Sequence, residues 1–141
     1  MTPECVPCSL ESGEPWRMVS RDAQWACDVF PGFEVPGWFV LRTRRHVLNM
    51  WNLDAHEAAS YGTQLRQLTR AIRETLDPPA IYTMSFGERH PHFHALVIAR
   101  SQAVPHEHRS EKIMALRDAQ RDLEAARTVA DAVAEAYRRL Q

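Results

Sequence analysis

Two hydrophobic periods divide this chain. From Asp54 to Leu76 the apolar positions Ala58, Tyr61, Leu65, Leu68, Ile72 and Leu76 recur every three or four residues, which predicts one long amphipathic helix. Asp54 with Glu57 three residues on is an Asp form of the capping box, and Asp77-Pro78-Pro79 stops the helix. Elsewhere the apolar runs are short. Trp16-Arg17-Met18-Val19-Ser20 and Gln24-Trp25-Ala26-Cys27-Asp28-Val29-Phe30 read as strands of a hairpin or meander. Residues 31–37 carry turn chemistry, and Trp38-Phe39-Val40-Leu41-Arg42-Thr43 reads as a mostly buried strand closed by Arg44-Arg45-His46. Ile81 to Phe86 is a further strand, Gly87-Glu88-Arg89 begins a turn, and His92 to Ala99 is the returning strand, with Pro91 at its start where a missing N–H costs least. Residues 1–15 read as loop. After Arg100 the chain is polar to about Ser110. From Glu111 to Leu140 it is helix-prone, with a narrow stripe of Val129, Val133, Ala136 and Leu140.

Composition narrows the class. The 141 residues suit one domain, or one domain with a helical tail, and no internal repeat is visible. With 17 basic and 18 acidic side chains the net charge is −1, so no general attraction draws the chain to nucleic acid or an anionic membrane. Arg42, Arg44 and Arg45 are candidates for a local basic patch. No apolar run approaches the roughly 18 residues of a membrane span. Met1-Thr2-Pro3-Glu4-Cys5 lacks the basic start and apolar stretch of a signal peptide, so a cytoplasmic address is expected. Three cysteines is an odd count, and in a reducing compartment Cys5-Val6-Pro7-Cys8 points to metal or redox chemistry rather than a structural disulfide. Cys27 stands alone in an apolar run and reads as a small buried hydrophobe.

The chemistry concentrates in His90-Pro91-His92-Phe93-His94. In an extended strand, side chains two apart share a face, so the three imidazoles are expected to line one surface. Cys5 and Cys8 on a tight loop are half of a zinc site, and two more ligands complete a tetrahedron. His46 ends the buried strand and His90 or His92 begins the histidine strand, so side-by-side strand ends would assemble Cys₂His₂. A redox pair or plain loop cysteines are the competing readings of the CxxC. A closed four-ligand site would be structural. A second histidine on that face is then free for chemistry. A neutral imidazole nitrogen, oriented through its other nitrogen, is a competent nucleophile toward phosphorus.

In the order of these parts the chain resembles the histidine triad (HIT) superfamily of nucleotide hydrolases and transferases, over roughly Cys5 to Arg100. The shared parts are the CxxC, the Pro36-Gly37 turn, the strand running into Arg45-His46, the helix opening near Leu53-Asp54, and the His-x-His run. The resemblance implies an α+β fold: an antiparallel sheet with one long amphipathic helix packed on it, here residues 1–105, and a C-terminal helical extension of the same domain over 106–141. It also implies a homodimer, a nucleotide or dinucleotide substrate, attack on the α-phosphate through a nucleotidyl-histidine, and one structural zinc per chain. No nucleic acid polymer and no membrane are expected as partners.

Two registers of the family motif fit. One takes His90, His92 and His94 as the triad but puts Pro91 at an apolar position. The other, favoured, takes His92-Phe93-His94-Ala95-Leu96-Val97-Ile98-Ala99-Arg100, with Leu96 in place of the third histidine. It implies Cys5, Cys8, His46 and His92 as zinc ligands, His94 as the nucleophile, and His90 as a turn histidine that touches phosphate. The Gly-Gln-Ser type segment before the triad is missing, and Gly87-Glu88-Arg89 stands there instead. Arg89 and Arg100 are candidate phosphate contacts. His56, His106 and His108 read as surface residues. Trp16, Trp25, Trp38 and Trp51 read as core or dimer-interface residues, and the C-terminal helix as a packing or dimer element.

Overall fold

A computed structural model describes residues 5–141, so the reading of Met1–Glu4 lies outside the described residues. Among the described residues, five strands form one antiparallel sheet: β1 (Met18–Arg21), β2 (Trp25–Asp28), β3 (Trp38–Thr43), β4 (Ala80–Met84) and β5 (His94–Arg100). Their spatial order is β1-β2-β3-β5-β4. The N-terminal segment forms one helical turn, α1 (Val6–Ser9), and α2 (Ala55–Leu76) connects the middle of the sheet to its far edge. The class and architecture are those expected from the sequence.

The sheet is covered on both faces, which is why all six residues of β3 are buried and its first four, Trp38 to Leu41, read as a continuous apolar run. Phe39, Leu41, Val97 and Ala99 face one side, with Trp25 and Cys27 of β2, and pack beneath α2. Their neighbours in sequence, Trp38, Val40, Leu96 and Ile98, face the other side. The β3–β5 register pairs Val40 with Leu96 and Arg42 with His94, so these four residues share the second face. Gly37 precedes β3 at φ +87, and its missing Cβ leaves room for Ala99, whose own Cβ lies 3.1 Å from where one would stand.

Helix α2 opens as expected. Asp54 accepts from Glu57 N–H, and Glu57 reaches back to Asp54 N–H, both at 2.8 Å. Leu68 and Ile72 are fully buried, but Ala58 and Leu76 at the two ends are exposed. Glu57 is buried instead of Ala58, because its carboxylate is held by the cap and by Arg45 (2.8 Å).

The C-terminal region departs from the expected single helix. Ser110–Leu116 is a 3₁₀ segment and α3 (Arg117–Gln120) is one turn. The chain then breaks before α4 (Leu123–Arg139). The break is set by tertiary contacts: Arg121 donates to Glu34 Oε1 (2.8 Å) and Asp122 N–H donates to Glu34 O (2.9 Å). Asp122 also caps α4 by accepting from Ala125 N–H. Val104 and Ile113 cover the second face of the sheet, and α4 returns to the first, burying Ala130, Val133, Ala136 and Tyr137 against α2 and β1. The Tyr137 hydroxyl donates to Gln64 Oε1 of α2 (2.6 Å). No helix of the described residues is long and apolar enough to cross a membrane.

Candidate functional site

Antiparallel pairing of β3 with β5 decides where the histidines go. The pairing continues past the strand ends: Thr43 N–H donates to Phe93 O (3.3 Å) and Phe93 N–H donates to Val47 O (2.6 Å). This sets His46 beside His92. The CxxC turn meets them there, with Cys5 at the N-cap of α1 and its sulfur accepting from Cys8 N–H.

The four side chains close into one group. Cys5 Sγ lies 3.4 Å from His46 Nδ1 and 3.3 Å from His92 Nδ1. Cys8 Sγ lies 3.2 and 3.4 Å from the same two nitrogens. A tetrahedral zinc with bonds of about 2.3 Å to sulfur and about 2.0–2.1 Å to nitrogen has S···N edges of about 3.5 Å, so the group has the size of a zinc coordination shell. His92 is fixed for this task. Its Nε2–H donates to Thr43 O (2.6 Å), which leaves the Nδ1 lone pair facing the sulfurs. Burial pushes its pKa down to about 4, so the ring is neutral near pH 7. Burial, and then the neighbouring Cys5 sulfur, push the Cys8 thiol up to about 11, so uptake of a cation releases protons. Two thiolates with two imidazoles favour zinc among common divalent ions. Cys27 stands apart, fully buried beneath the sheet, as a small hydrophobe.

The three imidazoles do not share one strand face, contrary to expectation. Strand β5 begins at His94 rather than His92. His92 N–H donates to His90 O (2.8 Å), so residues 90–92 form a tight bend around Pro91. His92 turns to the sulfurs, while His90 and His94 face a cleft with ring centroids 6.0 Å apart. His92, not His90, completes the Cys₂His₂ group, in keeping with the register that substitutes Leu96 for a third histidine.

The cleft measures about 640 Å³ on the second face of the sheet. Phe30, Phe33, Val40, Leu96 and Met114 form its apolar wall. Glu88, Arg89, Glu111, Arg117 and Asp118 supply charge at its edges. His94 Nδ1–H donates to His92 O (2.7 Å), so its Nε2 carries the free lone pair. Leu96, two residues along the same face, also lines the cleft. Arg89 lines it as well. Arg100 ends β5 six residues beyond His94, roughly 20 Å along an extended strand, and does not line the cleft.

The expected basic patch does not form, because each arginine has an acid. Arg42, fully buried opposite His94, donates to Asp28 Oδ2 (2.6 Å) and Glu11 Oε2 (2.8 Å). Arg44 pairs with Glu11 (2.9 Å) and Arg45 with Glu57 (2.8 Å). Burial raises the Asp28 pKa to about 6, against the pull of Arg42. The sequence reading missed Asp28, Glu11 and the cleft walls at Phe30, Phe33 and residues 111–118. An acid inside an apolar strand was a usable signal for Asp28, since a buried carboxylate needs a cation. His56 and His106 are exposed and His108 is half-buried. Trp25 and Trp38 are buried, Trp16 is half-buried beside Arg17, and Trp51 is 80% exposed, so it is not a core residue.

No protein-family model matches the chain, and no curated protein matches it in sequence. Solved structures match it closely in fold. A hypothetical histidine triad nucleotide-binding protein from Sulfolobus tokodaii superposes with TM-score 0.74 at 16% identity, over 96% of this chain and 93% of that one. A zinc-bound histidine triad family protein from Mycobacterium smegmatis gives 0.72 at 16% identity, over 98% of both chains. The diadenosine triphosphate hydrolase of Plasmodium falciparum gives 0.68 at 11% identity, over 90% of this chain and 80% of that one. Strand order, long helix, Cys/His group and the likeness over nearly the whole chain together give this protein the fold of the histidine triad proteins.

Proposed function

We propose that this protein is a nucleotide hydrolase or transferase of the histidine triad type. It cleaves a phosphoanhydride or phosphoramidate at the α-phosphate and passes through a nucleotidyl intermediate on His94. The observation that carries this reading is the 2.7 Å hydrogen bond from His94 Nδ1 to His92 O, which leaves Nε2 bare beside a cleft large enough for a nucleotide. In-line attack needs a lone pair fixed in direction, and this bond fixes it. The apolar wall suits a base and Arg89 suits phosphate oxygens. Zinc on Cys5, Cys8, His46 and His92 would pin the N-terminal turn to the sheet and take no part in the chemistry. Residues 106–141 complete the domain and lend one wall of the cleft. We read the protein as cytoplasmic and homodimeric, with exposed Leu48, Met50 and Trp51 as apolar surface that a dimer would cover.

The test is incubation with dinucleoside polyphosphates and with an adenosine phosphoramidate. Release of nucleoside monophosphate that disappears in His94→Ala is the expected result. Absent turnover, or turnover intact in that variant, ends the enzymatic reading. A second reading, a nucleotide-binding module without catalysis, is favoured by Leu96, which can neither give nor take a proton. Calorimetric binding without hydrolysis would select it.

A further inference from the structure

We propose that His90 is the catalytic hydrogen-bond donor to the leaving group when His94 attacks, supplied by the turn before β5 rather than by the strand. The inference rests on the hydrolase reading above and assigns a residue to its second half-site.

Attack on phosphorus proceeds along a line from Nε2 of His94 through phosphorus to the departing atom. Charge builds on that atom, and a donor aimed at it lowers the barrier. The strand does not supply one. The next side chain on the His94 face is Leu96, which is apolar. Ser85 is engaged elsewhere, donating to His94 O at 2.8 Å. Glu88, Glu111 and Asp118 are carboxylates, which accept when ionised. Arg117 is held on Asp118 (3.2 Å) and over the Phe33 ring, and Arg89 matches the non-bridging phosphate oxygens better than a single departing atom.

His90 has the required placement. Its ring centre lies 6.0 Å from that of His94, with the planes at 64°. At that spacing the two rings are side-by-side neighbours on one wall of the cleft, so a phosphorus about 3–3.5 Å from the His94 nitrogen and its departing atom can lie in front of the pair. One wall residue packs against both rings: Phe30 meets His90 edge-on at 5.2 Å and lies nearly parallel to His94 at 6.1 Å. The bend that turns His90 back toward His94 is held by the His92 N–H to His90 O bond, with Pro91 between them. An imidazole carries at least one N–H in either protonation state, so the role does not depend on titration.

The step balances. The His94 Nε2 lone pair forms the N–P bond. The P–O or P–N bond to the leaving group breaks with its electron pair on the departing atom, which the His90 N–H stabilises. A departing phosphate keeps that charge, and a departing amine takes its proton from water. Water then attacks phosphorus, loses a proton to solvent, and frees His94.

The experiment compares two substrates on the full chain: a nucleoside alkylphosphoramidate, whose leaving group is poor, and a nucleoside p-nitrophenyl phosphodiester, whose leaving group needs little help. His90→Ala is expected to lose about 10²–10³-fold in kcat/KM on the first and less than tenfold on the second. His90→Asn, which keeps an N–H, recovers part of the loss. His90→Phe, which keeps the packing on Phe30 without a donor, does not. Equal losses on both substrates, or no loss on the first, overturn the assignment with the hydrolase reading intact. Wild-type protein inactive on both substrates removes that reading and this one together. Metal content and melting temperature of each variant exclude misfolding as the cause.

Discussion

His92 and His94 stand two residues apart and have opposite surroundings. His92 is 1% exposed and both ring nitrogens are committed, Nε2 to Thr43 O and Nδ1 to the sulfurs. His94 is half-buried with one nitrogen committed and the other facing a cleft. The same side chain is thus closed off or left with a free lone pair according to how many of its nitrogens the protein occupies. The CxxC turn makes the first environment, and the split between the two faces of the sheet makes the second.

This contrast can be broken experimentally. The largest expected effect is that His94→Ala lowers nucleotide turnover by about 10⁴-fold or more, as loss of a nucleophile does elsewhere, while metal content by elemental analysis stays at the wild-type value. Zinc lost from that variant would show that the two histidines are not independent in role. Next, Cys8→Ser or chelation should lower thermal stability by several kcal/mol, since metal binding energy is also folding energy. An unchanged melting curve after complete chelation would mean that the thiol–imidazole group holds no structural cation. Third, Asp28→Asn leaves Arg42 buried without its main carboxylate and should cost about 3–5 kcal/mol in denaturant unfolding. A near-neutral result would mean that Glu11 alone can hold Arg42.

The smallest effect sharpens the contrast through pH. His92 has a folded pKa of about 4 against an ordinary 6.5. Below 6.5 the unfolded chain binds a proton that the folded chain refuses, so metal-free protein should lose stability as pH falls from 6.5 to 4, with no contribution from His92 above 6.5. Asp28 acts in the opposite sense. Its raised pKa of about 6 means that the folded state holds a proton longer, and stability falls as pH rises from the ordinary 3.8 to 6. The two partly offset in wild-type protein. Asp28→Asn should steepen the acid loss on top of its fixed cost, and denaturation midpoints at pH 4, 5, 6 and 7 would show it.

What was legible in the sequence was what neighbours decide. The Asp54/Glu57 cap, the apolar stripe through Leu68 and Ile72, and the run Trp38–Thr43 are local signals, and each appears where the pattern put it. The approach of His46 to His92 was legible too, since it needs only that two strand ends pair. Three things were not. The break at Arg121-Asp122 is imposed by Glu34, 87 residues away from Arg121. The turn of His90 away from His92 depends on a backbone bond across Pro91. The fate of Arg42, Arg44 and Arg45 depends on Glu11, Asp28 and Glu57, partners that no spacing rule joins to them.

One residue ends up holding both halves of the machine. His92 gives its ring to the sulfur side and its carbonyl oxygen to the ring of His94. The two groups are therefore joined through a single peptide, and any shift of the His92 backbone on the sulfur side reaches the ring whose free lone pair faces the cleft.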